Sequence, residues 1–175
     1  MSKRKSHNAR GKAKMGKLEQ VNALIGQLQN SNMWVRQKAA STLVEIASKG
    51  YVKDIVYAEA HKLLIQLLSD PEELVRVQAA TALEQIAQKG GAKAVVEGGG
   101  ITPLTNALSD ASDLVRWNAD WALVHIAECG CADALVKSGT IQPLIKALSS
   151  RSEVVRWRAV QTLAAIVRSG YGVPL

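Results

Sequence analysis

Phenylalanine is absent from this 175-residue chain, and the other aromatic residues are few, four Trp and three Tyr. With so few large rings, Leu, Ile, Val and Ala must fill any core, which suits helices packed closely on helices. Cysteine is nearly missing too. Cys129 and Cys131 are the only two, too close in sequence for an ordinary disulfide. A disulfide-stapled secreted fold is excluded, and a reducing compartment inside the cell, cytoplasmic or nuclear, is expected. No apolar run approaches the roughly 20 residues that cross a bilayer, and the N-terminus lacks a signal peptide's apolar stretch, so no membrane is expected.

Acidic residues are missing from one end only. Residues 1–17 hold seven of the 22 Lys and Arg and none of the 15 Asp and Glu, which leaves 15 of each sign in the rest. The net charge of +7 therefore belongs to this segment, read as a disordered basic tail, and residues 18–175 are neutral. Catalytic fingerprints are lacking as well. Gly98-Gly99-Gly100 has no Lys-Ser/Thr after it, and there is no paired-carboxylate or nucleophile-elbow pattern. His125 and Cys129 stand one helical turn apart, but with Cys131 they make three ligands and no fourth. Neither an enzyme, a cofactor nor a metal is expected.

What the chain does have is a period of forty residues. DASDLVRWNADWALVHIAECG (Asp110 to Gly130) is preceded by DPEELVRVQAATALEQIAQKG and NSNMWVRQKAASTLVEIASKG and followed by SRSEVVRWRAVQTLAAIVRSG. Val35, Val75, Val115 and Val155 correspond, as do Arg36, Arg76, Arg116 and Arg156, and Leu43, Leu83, Leu123 and Leu163. A fixed period of this size means a stacked-repeat solenoid. Each unit reads as a helix. Asp70 or Asp110 serves as N-cap, acids fill the first turn, and Gly90 or Gly130 ends the helix. At about 100° per residue, Val115, Ala119, Ala122, Leu123 and Ile126 share one stripe, whereas Trp117, Trp121 and Val124 point away from it. A short helix (Ala92–Gly98, Ala132–Gly139) and a second one with Pro103 or Pro143 in its first turn precede the later units. Repeat two has no glycine between these, so Val52 to Leu68 reads as one bent helix.

VVEGGGITPLTNALSDASDLVRWNADWALVHIA and LVKSGTIQPLIKALSSRSEVVRWRAVQTLAAIV resemble armadillo repeats, and the acid-to-Val-Arg spacing is similar to HEAT repeats. The resemblance implies an all-α, right-handed α-solenoid of four armadillo/HEAT-type repeats, at about 18–58, 59–98, 99–138 and 139–175. It also implies a peptide groove lined by the third helices, with an Asn four residues after a Trp clamping the peptide backbone. Only Trp121 matches the Trp position, and Glu45, Gln85, His125 and Ala165 stand at the Asn position. A groove is expected; the Asn clamp is not.

The expected function is a non-enzymatic scaffold that holds a protein or peptide segment across the third helices. Trp117, Trp121 and Trp157 are the anchors, with His125 and Gln85 beside them, and Glu84, Asp113, Asp120 and Glu128 favour basic side chains. The alternative is nucleic-acid binding through the tail and the Arg36, Arg76, Arg116, Arg156 row. Against it, that row lies at the edge of the core stripe, as a seam of ion pairs would, and the neutral body lacks the surplus a phosphate face needs. The tail is a targeting or nucleic-acid arm, a solubilising end, or a strand lying weakly over the tryptophans. The apolar last helix (Val154, Val155, Val160, Leu163, Ile166, Val167) is expected to self-associate, as a homodimer or with another chain.

Overall fold

The computed structural model describes residues 16–170, and every regular element among them is helical. In order the α-helices are α1 (16–28), α2 (Met33–Ser48), α3 (Val52–Tyr57), α4 (Ala60–Leu67), α5 (Glu73–Ile86), α6 (Ala92–Glu97), α7 (Ile101–Ala107), α8 (Asp113–Ile126), α9 (Ala132–Lys137), α10 (Ile141–Ala147) and α11 (Glu153–Arg168), with π-helical kinks at Ala87–Gly91 and Ala127–Cys131. The chain is a right-handed α-solenoid in which the long helices α2, α5, α8 and α11 stack side by side as one layer. Alanines at equivalent positions, Ala39, Ala79, Ala119 and Ala159, are buried where these helices meet. Their small side chains permit the close approach. The core continues through Leu43, Leu83 and Leu123, each fully buried, and through Leu64, Leu104 and Leu144 of the second helices. Burying side chains of this size contributes about 1.5–3 kcal/mol each.

Helix boundaries differ from the sequence expectations in three places. Gly16 and Lys17 are helical and belong to α1, while residues 1–15 of the basic tail and 171–175 lie outside the described residues. Asp70 and Asp110 are not N-caps. The helices start at Glu73 and Asp113 behind Glu72 and Ser112, and the Asp carboxylates instead accept the backbone N–H of those two residues, at 3.0 and 2.8 Å. Their remaining capacity goes to arginines of the preceding repeat, described below.

The third difference lies in repeat two. Val52 to Leu68 is not one bent helix, because α3 ends at Tyr57 and α4 begins at Ala60. Glu59 takes the left-handed conformation, φ +56°, that Gly99 (+80°) and Gly139 (+79°) take in the later repeats. The turn geometry is thus common to all three and is strained only where a side chain must adopt it.

In α11 the apolar side chains are less covered. Val155 and Leu163 are half-buried, whereas Val75, Val115, Leu83 and Leu123 are fully buried, and Val154, Val160 and Val167 are exposed.

Candidate partner-binding face

The residues on the outer side of the third helices differ sharply from end to end. Along α8, Leu114, Trp117, Trp121 and His125 follow one another at intervals of three and four, so they form a stripe. Trp117 and Trp121 approach to 6.4 Å between ring centroids, and Trp121 stacks on His125 at 5.8 Å. From α11, Trp157 stacks on Trp117 at 6.5 Å with 20° between the planes. Trp117 and Trp157 are 45% and 46% exposed, enough for each to offer a broad apolar area while held by its neighbours. The same positions on α2 and α5 carry Gln37, Val77, Ser41 and Thr81, of which Val77 is buried.

Beneath the tryptophans lies a polar cluster that the sequence alone does not suggest. Arg158 of α11, 3% exposed, stacks 3.8 Å from the Trp117 ring centre and donates from Nη1 to Asp120 Oδ2 at 3.3 Å. Thr162 donates to the other Asp120 oxygen at 2.5 Å. Burial pushes the Asp120 carboxyl up to about 6, against the pull of Thr162 and Arg158. Asp120 is therefore a corrected expectation. It is 1% exposed and bridges two repeats, and it is not a surface acid facing a partner.

Glu84 is corrected in the same way, being 9% exposed. It accepts from Gln85 Nε2 at 2.7 Å and lies 3.4 Å from His125 Nε2, while His125 Nδ1 lies 3.7 Å from Glu128. Val124, placed on the outer face by its own helix's geometry, is buried. One cause explains all three. Each middle helix is flanked by another third helix on both sides, so only a narrow strip of its outer surface reaches solvent. Asp113 does face solvent, and it pairs with Arg116 of its own helix. The structure thus joins Trp117, Trp121, Trp157, His125, Glu84 and Gln85 into one tract and leaves Asp113 at its edge.

The arginine row sits at the seams between repeats. Arg36 donates from Nε and Nη2 to the Asp70 carboxylate at 2.7 and 3.0 Å, and from Nη1 to the carbonyls of Asn30 and Ser31. Arg76 repeats this with Asp110, at 2.8 and 3.2 Å, and with the carbonyls of Asp70 and Pro71. Burial works to raise both aspartates. The arginine hydrogen bonds and the backbone N–H groups outweigh it and hold both carboxyls below the usual range. Arg116 and Arg156 keep the carbonyl contacts. Groups engaged in this way do not present a ladder of free cations to a phosphate backbone.

A further exposed row was not expected as a row. Trp34 (62%), Leu74 (44%), Leu114 (60%) and Val154 (49%) occupy one register position in the four repeats, at the first turn of each third helix. Its signal was available, since all four are apolar and forty residues apart. Among the described residues no three or more His, Cys, Asp or Glu gather in a way that could hold a metal ion, and no helix is long and apolar enough to cross a membrane.

The family described as HEAT repeats matches residues 21–99. Among solved structures, an engineered protein is 31% identical, with 86% of this chain and 68% of that chain covered and a TM-score of 0.75. A designed armadillo repeat protein in complex with the peptide (KR)4 is 28% identical, with 83% and 64% covered and a TM-score of 0.76. A second designed armadillo repeat protein is 29% identical, with 86% and 70% covered and a TM-score of 0.73. The chain spans about two thirds of the length of each. No curated protein matches it.

Proposed function

The chain belongs to the armadillo/HEAT-like helical repeat family, and we propose that it is a non-enzymatic scaffold whose third helices hold an extended peptide segment of a partner protein. One observation carries this reading. Trp117 and Trp157, from different repeats, are stacked on each other and remain nearly half exposed. A solvated pair of large rings fixed on a rigid layer is the kind of anchor on which interface energy concentrates. The row of Trp34, Leu74, Leu114 and Val154 extends the apolar surface across all four repeats, which suits an elongated partner more than a small molecule.

Basic side chains on the peptide fit best. Arg158 already lies on the Trp117 face, so cation–π contact is a chemistry this patch makes within its own chain. Asp113 and Glu128 are exposed beside it. The relative in complex with (KR)4 supports the same preference. The two free thiols, Cys129 and Cys131, support placement inside the cell.

Selection of a displayed peptide library on the chain, followed by affinity measurement, tests the reading. Trp117→Ala and Trp157→Ala are each expected to weaken the selected peptides at least about tenfold, the size expected at interface anchors. Peptides that bind both variants as tightly as the parent chain refute the assignment of this face. A salt series adds the contrast with nucleic acid, since a phosphate contact loses affinity steeply with salt and a tryptophan-anchored peptide does so modestly.

A further inference from the structure

The arginine–aspartate pairing that closes the first two seams does not close the third. Arg36 finds Asp70 and Arg76 finds Asp110, each 34 residues on. The residue 34 beyond Arg116 is Ser150, whose hydroxyl accepts the Ser152 N–H but offers no charge. Arg116 turns its Nη2 to Asp113, a side chain 81% exposed, and its Nε is buried with no acceptor among the described residues. The edge of the guanidinium that grips a carboxylate in the other two seams is thus half unmatched.

A second donor meets it there. Arg158 is 3% exposed, and its Nη2 is likewise buried without an acceptor. Arg116 and Arg158 line one small cavity of about 10 Å³, room for a single water, together with Leu108, Leu144 and Val155. Leu108 and Val155 also line the broad cleft of about 830 Å³ beside it, where Ser150, Ser149 and Lys146 are found. The cleft therefore opens at the position an aspartate at residue 150 would occupy. Burial lowers the Arg158 pKa; Asp120 counteracts this, and the charge of Arg116 adds to it. Each arginine already has one carboxylate partner, Asp113 or Asp120, and each keeps one buried N–H without an acceptor beside this cavity.

We propose that the seam between the third and fourth repeats binds a carboxylate from outside the repeat array. One of its oxygens takes the single-water place in the cavity lined by Arg116 and Arg158, toward Arg116 Nε and Arg158 Nη2, and the other lies at the cleft where Ser150 stands in place of an aspartate. A carboxylate oxygen there accepts charge-assisted hydrogen bonds, which are stronger than those to a neutral water. The body carrying the carboxylate lies in the cleft, against Leu108, Val155 and Pro143, with Lys146 near its mouth. This site lies behind the tryptophan face and shares Arg158 with it, but its test reads Arg116 and does not depend on the peptide reading.

Arginine side-chain NMR provides that test on the whole chain. Sodium acetate is titrated against sodium chloride at matched ionic strength, near pH 7, while the Nε–Hε signals are followed. The Arg116 signal is expected to shift saturably with acetate, while Arg36 and Arg76, already paired, stay still. Ser150→Asp should place the Arg116 signal near those of Arg36 and Arg76 and weaken the acetate response at least about tenfold. N-acetyl trialanine with a free C-terminus, and the same peptide as its amide, identify the source of the carboxylate. A response to both acetate and the acid peptide assigns carboxylates of either origin. Acetate alone assigns small free acids, and the acid peptide alone assigns a polypeptide C-terminus. No response beyond chloride's to either probe, or an equal response in Ser150→Asp, overturns the proposal.

Discussion

The seams between repeats one and two and between two and three are alike, and the third is built differently. In the first two, a two-pronged Arg–Asp pair lies at one edge of an apolar interface, with the third-helix leucines fully enclosed. In the third, the pair is missing its carboxylate, Leu163 is half-buried, and the polar contact has moved beneath the tryptophans as Asp120, Arg158 and Thr162. Regular seams supply stability evenly along a solenoid, because each repeat touches only its neighbours. The irregular seam coincides with the exposed tryptophans and the broad cleft. The departures from the repeated pattern thus gather at the same seam as both proposed binding sites.

The sharpest way to break this comparison is to cut the same leucine on both sides of it. Leu83→Ala removes a fully enclosed side chain and is expected to cost about 2–5 kcal/mol in urea unfolding. Leu163→Ala should cost clearly less, since part of its surface is already wet. Equal losses would show that the last repeat is held as firmly as the second.

Acidity separates the seams next. Asp120 holds its proton more tightly folded than unfolded, about 6 against 3.8, so its contribution favours the fold below pH 4 and is withdrawn as pH rises through 6. The full difference is on the order of 3 kcal/mol between pH 4 and 7. Asp70 and Asp110 run the other way, lending stability above their ordinary value near 3.8 and losing it as pH falls through their lower folded values. The melting temperature of Asp120→Asn, compared with the parent from pH 4 to 7, should gain on it as pH rises. A constant difference contradicts the buried placement of Asp120.

Asp110→Ser converts the middle seam into a copy of the third. Arg76 then loses its carboxylate in a part-buried position, at an expected cost of about 1–3 kcal/mol by chemical denaturation. No loss would mean that the seam pairs are ornamental. The smallest effect concerns repeat two alone. Glu59→Gly relieves a left-handed residue and gives up one exposed contact with Lys62, for a net gain of roughly 0.5 kcal/mol. A destabilised variant would show that Glu59 is held there by more than the turn.

Much of this architecture is legible in one dimension. The forty-residue register lines up Val75 with Val115 and Leu83 with Leu123, and these are the enclosed residues. The tryptophans at 117, 121 and 157 are likewise adjacent because their helices stack. What a single helix cannot reveal is the cover supplied by its neighbours. A wheel drawn for α8 sends Asp120 and Val124 to water, yet α11 covers the one with Arg158 and Thr162, and the other is buried between the stacked repeats. Asp70 and Asp110 look like helix caps because an acid ahead of an apolar run usually is one. The competing claim on them comes from an arginine 34 residues earlier, a distance at which local pattern carries no information.

The seam geometry also bears on how such a chain changes over generations. Arg36 touches carbonyls of its own unit and a carboxylate of the next, and that carboxylate always follows a Leu-Ser pair, Leu68-Ser69 or Leu108-Ser109. Excising residues 70–109 would rejoin Ser69 to Asp110 and hand Arg36 an equivalent partner in unchanged surroundings. Whole units can therefore be lost or duplicated without a new junction having to be invented. Ser150 is the exception, because the arginine 34 residues before it finds no carboxylate there. A copy of residues 110–149 placed ahead of Ser150 would bring Arg116 an aspartate and move the vacant place one unit outward.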